Sequence, residues 1–362
     1  MASIENHLRN PGIPIDAHVG ERCQSLAQAL EGRTAVYLDF RFWVLVREVR
    51  EGIRVAPADL KLAHYLTYLV RRGRIFCPIS VTVFSELMKV GNVERRNATI
   101  DVVEELSAGV TLMPEEDRLE AEVKSIVLSS IVPGDAPMPR RVWTRLAYVL
   151  GNIQVANTKF PPETERAIQK EFFDYLWEQP LSSIAAHLDP KNYDMRVEME
   201  ALAERLNTSN RAHSAEMTSF EGVLADEMGG VAELAEPVLR QVIGRLQGSD
   251  ITSAANRSAD RIGLNLLRAI LLGEQAHRLP TLHVHASLHS LFRWEYRDKL
   301  ITGNDMFDVA HATAALAYCD AFFAERELAK SVTHRRLALD KRHGCFVTNN
   351  IAEAISYLKA LT

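Results

Sequence analysis

The sequence predicts an α/β fold in which a parallel sheet flanked by helices is interrupted by a large all-α insertion. Short apolar segments alternate with helical segments near both ends of the chain, which is typical of a parallel sheet. Between residues 114 and 299 this alternation is lost and only helical periodicity is found. Residues 115–280 hold 18 basic and 25 acidic side chains, a net charge of 18 − 25 = −7, whereas the whole chain carries −5.

Two apolar segments in the first third of the chain predict buried strands. The first strand is expected over residues 34–39 and the second over 74–80, with Ser80 as the N-cap of a helix over 81–89. The other elements expected here are helices after residue 40, over 60–70 and over 97–106, and a third strand over 109–113. Before them, Pro11 and Pro14 are expected to break any regular element.

The alternation returns at the far end of the chain. The expected elements are a helix over 301–318 entered at Asn304 or Asp305, a strand over 320–324, a basic helix over 326–339, a strand over 345–348 and a helix over 352–361. We therefore expect an N-terminal extension (1–33), a first part of the α/β domain (34–113), the helical insertion (114–299) and a second part of the α/β domain (300–362).

Composition excludes several classes of protein. The chain has 362 residues, and no stretch approaches the ~18 consecutive apolar residues of a membrane span. Its start lacks the apolar core of a secretory signal. Cys23, Cys77, Cys319 and Cys345 are widely separated, which argues against a disulfide framework or a structural zinc site. We therefore expect a cytoplasmic protein, in which any nucleic-acid partner would need a local basic surface.

Carboxylates recur at the carboxyl ends of predicted strands and in the neighbouring helices, which is where the ligand-binding sites of parallel sheets lie. They are Asp39, Glu86, Asp305, Asp308 and Glu325. Asp305 and Asp308 are three residues apart and therefore share one helix face. Asp320 is a weaker candidate because it precedes its predicted strand.

Each acid also has an ordinary structural explanation. Asp39 is equally well explained as an N-cap, Asp305 suits a helix dipole, and a glutamate on a helix is usually solvated. If these carboxylates converge at one edge of the sheet, a metal site becomes the better explanation. Carboxylates held close together repel one another unless a cation neutralises them. Hard oxygen ligands select Mg²⁺ or Mn²⁺, which can activate water for phosphodiester hydrolysis.

The acids lie in four short segments, residues 37–39, 79–87, 304–311 and 322–326, whose order and spacing are distinctive. Together these segments resemble the acidic motifs of PIN-domain ribonucleases, a superfamily that includes the toxins of bacterial toxin–antitoxin pairs. The resemblance implies a Rossmann-like sheet whose acids hold Mg²⁺ or Mn²⁺ to cut RNA. It leaves the insertion unexplained.

Carried over residue by residue, the resemblance implies that Asp39, Glu86 and Asp308 bind the metal. Asp305 and Glu325 would complete the catalytic set. Glu325 stands where the family usually has aspartate, and a longer glutamate can still reach a metal.

Two further positions depart from the family pattern. Ala324 stands where threonine is usual, and Arg41 stands where asparagine is common.

Basic side chains near these acids would attract the phosphate backbone of RNA. The candidates are Arg41 after the first strand, and Arg335 and Arg336 in the last basic segment. A solvated helix face explains these charges equally well. The insertion would be a lid, a contact in a homo-oligomer or the surface for a regulatory protein, and its sequence favours none of these.

Other candidate residues are set aside. Neither a helix nor a strand brings His283, His285 and His289 to one face, so we expect no metal there. His311 is expected to orient or support the acid three residues before it, and Cys319 is best explained as a small buried hydrophobic residue. The chain has no glycine-rich nucleotide-binding motif and no nucleophile elbow.

These observations predict a metal-dependent endoribonuclease that hydrolyses phosphodiester bonds in single-stranded or structured RNA. The alternative is a catalytically weak PIN-like protein that acts as an RNA- or protein-binding module. Metal-dependent turnover would distinguish the two.

Overall fold

The structure, a computed structural model, describes residues 4–131, 142–151, 158–247, 254–295 and 300–362. The strands are β1 (Thr34–Leu38), β2 (Ile75–Phe76), β3 (Thr111–Leu112), β4 (Trp143–Thr144), β5 (Ala321–Phe323) and β6 (Phe346–Thr348). A four-stranded sheet with the order β2–β1–β5–β6 is parallel at every pairing. The predicted α/β class and its parallel sheet are confirmed.

β1 lies in the centre of this sheet and is buried on both faces. Val36, Tyr37 and Leu38 are inaccessible to solvent, as expected of a parallel strand covered by helices on both sides. The first half of β1 pairs with β2 and its second half pairs with β5.

The connections fix where a site can form. The chain leaves β1 toward β2 on one side and leaves β5 toward β6 on the other. The carboxyl ends of β1 and β5 therefore flank the point at which the strand order reverses, where open α/β sheets bind ligands.

Helices fill the rest of the described chain. Before the insertion they are α1 (Ile4–Arg9), α2 (Ile15–Ala29), α3 (Phe40–Arg50), α4 (Pro57–Arg71), α5 (Val81–Met88) and α6 (Val93–Ser107). The insertion contains α7 (Glu115–Ile131), α8 (Leu146–Val149), α9 (Pro162–Trp177), α10 (Leu181–Ala186), α11 (Arg196–Ala212), α12 (Phe220–Leu234), α13 (Glu236–Gln247), α14 (Ala254–Leu272) and α15 (Pro280–Glu295). The last part of the chain contains α16 (Gly303–Ala315), α17 (Arg326–Val332), α18 (Leu339–His343) and α19 (Ile351–Lys359).

Side-chain caps set the helix starts next to the sheet. Ser80 Oγ accepts a hydrogen bond from the backbone N–H of Val83 over 3.3 Å, so α5 begins as predicted. Asp39 caps α3. The cap of α16 is Thr302, slightly earlier than the predicted entry at Asn304 or Asp305.

The insertion packs directly on the α/β core. Leu181 of α10, Phe220 of α12, and Val284 and Leu288 of α15 belong to the same apolar cluster as the sheet. A second apolar cluster joins α7, α12, α13, α14 and α15. The helices of the insertion therefore have a core of their own and also share the main one.

The expectation of an irregular N-terminal extension is wrong. Pro11 and Pro14 do not prevent helix formation, because Pro14 occupies the N-cap of α2 and α1 ends before Pro11. A proline immediately before the first turn removes no helical hydrogen bond. Val19 and Cys23 of α2 then pack against α9 of the insertion.

Two other expectations need correction. The predicted basic helix over 326–339 ends at Val332 and is followed by a turn segment, at whose end Ala338 adopts the left-handed conformation with φ +45° before α18 begins. The insertion is not entirely helical, since β4 pairs antiparallel with β3. Two residues are too few to give a strand periodicity that the sequence could reveal.

Candidate active site

Asp39 lies at the carboxyl end of β1, beside the residue that ends β5. It is 4% exposed. Its Oδ1 accepts a hydrogen bond from the N–H of Arg41 over 3.3 Å, and its Oδ2 accepts one from the N–H of Glu325 over 3.4 Å. The helix-capping and active-site interpretations of Asp39 are thus compatible, because one carboxylate oxygen caps α3 and the other bonds the backbone that follows β5.

Glu86 on α5 is oriented by His311 on α16. The His311 Nε2 lies 2.8 Å from Glu86 Oε2, and its Nδ1 lies 2.9 Å from the hydroxyl of Tyr37. That hydroxyl lies 2.7 Å from Ser80 Oγ, so a hydrogen-bonded chain runs from the sheet interior to Glu86. Burial alone would lower the pKa of His311, but Tyr37 and Glu86 raise it well above its ordinary value. The histidine bonds Glu86 rather than the neighbouring acid, Asp308.

Asp308 lies one turn before His311 on α16, close to the same acids. Burial raises the pKa of Asp308 to about 7. The charge of His311 opposes that rise, whereas the negative charges of Asp39 and Glu325 add to it. The carboxyl group is thus held among other carboxylates in a poorly solvated position.

The other acids show the same mutual influence. Burial raises the pKa of Asp39, and the charge of Glu86 raises it further. Burial and the charge of Asp39 likewise raise the pKa of Glu325, although Glu325 is exposed. Four acids from separate segments therefore lie within electrostatic reach of one another.

Asp305 has a different contact. Its Oδ2 accepts hydrogen bonds from the backbone N–H and the hydroxyl of Thr302, both over 2.7 Å, and completes a capping box at the start of α16. Its charge still contributes to the raised pKa of Asp308. The structure places this carboxylate at the helix terminus, which is the ordinary explanation that the sequence left open.

The three predicted RNA-binding arginines are placed differently. Arg41 lies beside Glu325, whose raised pKa it opposes, and its guanidinium carbon is 4.9 Å from the ring centre of Phe42. Arg335 is exposed. Arg336 turns toward the insertion, 3.8 Å from carboxylates on α12 and α15. Of the three arginines, Arg41 is the one that lies next to the acids Asp39 and Glu325.

Four arginines of the basic segment that follows β1 form ion pairs. Arg47, Arg50, Arg54 and Arg71 each pair with nearby carboxylates of the described chain. These four arginines therefore serve ion pairs within the fold, and they are not free to attract RNA.

Sequence reasoning missed Lys89, which lies at the end of α5, one turn after Glu86. Its Nζ lies 3.7 Å from the ring centre of Phe307, and although burial lowers its pKa, the charges of Glu86 and Asp194 oppose that shift. Asp194 precedes α11 of the insertion and pairs with Arg196. The i, i+3 spacing from Glu86 could have identified Lys89 from the sequence. The approach of the insertion to Lys89 could not be predicted from the sequence.

The donor chemistry of the acids fits a hard divalent cation, since carboxylate oxygens are the ligands that Mg²⁺ and Mn²⁺ prefer. Their oxygens are not gathered tightly, however. Within the described ranges, one group of three potential ligands has its atoms within 4.8 Å of one another, and it lies elsewhere, at His7, His18 and Asp174.

The residues set aside have structural roles. His283 Nδ1 lies 3.0 Å from His343 Nε2, and His285 bonds Glu115 over 2.8 Å. Asp320 accepts a hydrogen bond from the N–H of Ala35 at the opposite end of the sheet.

Cys319 is buried, and burial raises the pKa of its thiol well above the ordinary value. This matches the expected hydrophobic role.

Comparison with known proteins adds no assignment, because no protein family, curated protein or solved structure matches the chain. None of the helices in the described part of the chain combines the length and the apolar character needed to cross a bilayer.

Proposed function

We propose that the protein is a metal-dependent endoribonuclease of the PIN type. The observation that carries the proposal is the convergence of Asp39, Glu86, Asp308 and Glu325 at the switch point of a parallel sheet. Asp39 and Glu325 are 286 residues apart in sequence, yet one bonds the backbone of the other. Burial raises the pKa values of Asp39, Asp308 and Glu325, and neighbouring carboxylates raise them further, so these acids are costly to hold together unless they bind a cation.

The residues would divide the work as follows. Asp39, Glu86 and Asp308 would hold Mg²⁺ or Mn²⁺, and Glu325 would complete the set from the rim. Such an ion supplies an activated water and stabilises the leaving oxygen of a phosphodiester. His311 fixes the orientation of Glu86, and Arg41 at the rim would attract the RNA backbone.

The rival function is an RNA- or protein-binding module without turnover. The exposure of Glu325 and the wide spacing of the acids favour this alternative. In that case the acids would be a remnant of the PIN-type site, and binding of RNA would depend on salt rather than on metal.

We further propose a cytoplasmic location, which is consistent with four buried cysteines that are all unpaired. The insertion would act as a lid or partner surface, because the segment before α11 contacts α5. The backbone N–H of Met195 donates to Ser85 Oγ over 3.3 Å, next to Glu86.

The test compares cleavage of a labelled single-stranded RNA in Mn²⁺ by wild type, Asp39→Asn and Asp101→Asn. Asp101 is an exposed acid on α6 and serves as the matched control. Because even indirect supports of a metal site contribute 10- to 100-fold, we expect Asp39→Asn to lose at least about 100-fold in rate. Asp101→Asn should cleave like wild type.

Two results would count against the proposal. Cleavage by Asp39→Asn at the wild-type rate would exclude a role for the acids. Salt-sensitive RNA binding by wild type, with no cleavage in Mn²⁺ or Mg²⁺, would identify the binding module instead.

A further inference from the structure

A second cluster of potential ligands joins the N-terminal extension to the insertion. His7 of α1 and His18 of α2 both direct Nε2 at Asp174 of α9. His7 Nε2 lies 3.1 Å from Asp174 Oδ2, and His18 Nε2 lies 2.9 Å from Oδ1. The three side chains are only 9%, 13% and 12% exposed.

A fourth potential ligand lies on the same helix. Glu171 is one turn before Asp174, and its Oε2 lies 3.7 Å from His7 Nε2. This oxygen is buried and has no hydrogen-bond partner within the described residues. An orphaned carboxylate oxygen is costly in a buried position, so its placement beside the imidazole of His7 requires a reason.

The ligand atoms of His7, His18 and Asp174 all lie within 4.8 Å of one another, close enough to share one metal ion. Ligands at 2.0–2.2 Å from a zinc ion are about 3.3–3.6 Å apart at the corners of a tetrahedron. Three contacts are close to this value: His18 to Asp174 Oδ1 at 2.9 Å, His7 to Asp174 Oδ2 at 3.1 Å and His7 to Glu171 Oε2 at 3.7 Å.

The local charge also fits a divalent cation. Arg22 lies beside the cluster, with its Nε 3.4 Å from Asp174 Oδ1, and it pairs with Glu178. The carboxylates of Asp174, Glu171 and Glu178 carry −3 and Arg22 carries +1, which leaves −2 when the two histidines are neutral. One divalent ion would balance that charge.

We propose that His7, His18, Asp174 and Glu171 form a structural site for Zn²⁺. Two imidazoles select a transition metal of the zinc type over Mg²⁺, and four protein ligands leave no open position for substrate. The ion would fasten α1 and α2 to α9, where the apolar contact is small: Val19 and Cys23 pack against Phe173 and Trp177. The proposal does not depend on the ribonuclease assignment, which concerns different residues.

Equilibrium dialysis of the full-length protein against Zn²⁺, in excess Mg²⁺ that occupies all-oxygen sites, tests the proposal. Wild type should bind one Zn²⁺ per chain, and X-ray absorption at the zinc edge should show imidazole ligands. His18→Ala should weaken binding at least about 100-fold, and Glu171→Gln at least about tenfold. His64→Ala, which removes an exposed histidine of α4, and Asp39→Asn should bind Zn²⁺ like wild type.

Glu171→Gln keeps the test decisive if His18→Ala fails to fold, because Glu171 Oε2 makes no hydrogen bond to a described residue. The proposal is overturned if wild type binds no stoichiometric Zn²⁺ or if Glu171→Gln binds it unchanged. It is equally overturned if Asp39→Asn loses the ion, which would place the zinc at the acids of the sheet.

Discussion

Asp308→Asn should stabilise the metal-free protein, and the gain should depend on pH. The folded state holds the Asp308 proton up to a pKa of about 7, whereas the unfolded chain releases it near 3.8. A carboxyl whose pKa is raised by folding gives stability at low pH, and that contribution is lost as the pH rises through the folded-state value. Asparagine has a similar shape and no charge to bury.

The magnitude follows from the size of that shift. A rise from 3.8 to about 7 is about three pKa units. At about 1.4 kcal/mol per unit, wild type should lose about 4 kcal/mol of unfolding free energy at this one group between pH 4 and pH 8. Asp308→Asn should not show this loss, so its advantage over wild type should grow from near zero at pH 4 to about 4 kcal/mol at pH 8.

Urea denaturation in a chelating buffer at pH 4, 6 and 8 measures the effect. Asp101→Asn removes an exposed acid and serves as the control for a general change of charge. Saturating Mn²⁺ should reverse the order at pH 8, because a ligand that binds only the folded wild type stabilises it alone. An advantage of Asp308→Asn that is the same at pH 4 and pH 8 would refute the crowding of carboxylates at this site.

Three further predictions concern the same acids and their surroundings. The affinity for Mn²⁺, measured by calorimetry, should rise up to about tenfold per pH unit below pH 7, because the ion must displace the Asp308 proton; an affinity that is flat from pH 5 to 7 would contradict this. His311→Ala should lower Mn²⁺-dependent cleavage about 10- to 100-fold, since Glu86 loses its orienting bond; an unchanged rate would show that the bond has no catalytic role. Arg41→Ala should reduce the slope of log affinity against log salt for single-stranded RNA by about 0.7. Arg336→Ala should leave the slope unchanged, because the Arg336 side chain already lies near two glutamates. Equal effects of the two variants would refute the placement of RNA at Arg41.

Local signals in the sequence were enough for much of the fold. The apolar segments that become β1 and β5 are short, buried and bounded by polar residues, and Ser80 caps α5 through its own side chain. Such features depend on neighbours within a few residues. The α/β class and the parallel sheet could therefore be predicted.

The failures involve features that local patterns do not encode. The turn between α17 and α18 ends at Ala338 in a backbone conformation that alanine rarely adopts. The helices α1 and α2 are held in place by α9, which lies more than a hundred residues later in the chain. Contacts such as His7 with Asp174 join them. Neither feature has a periodic signature.

The candidate site shows the same division. The acids could be identified as candidates because the carboxyl ends of parallel strands meet at one edge of a sheet. The structure does bring Asp39 and Glu325 together. The hydrogen bond between His311 and Glu86 joins residues that are 225 positions apart in the sequence. The spacing within α16 predicted Asp308 as the partner of His311 instead. The capping box of Asp305 was open to prediction but could not be separated from a metal-binding role by sequence.

If the acids at the switch point bind one hard divalent ion, anomalous diffraction from crystals grown with Mn²⁺ will locate it. We expect a manganese peak at about 2.1 Å from oxygens of Asp39, Glu86 and Asp308. A protein saturated with Mn²⁺ that shows no peak in contact with these three side chains would contradict it.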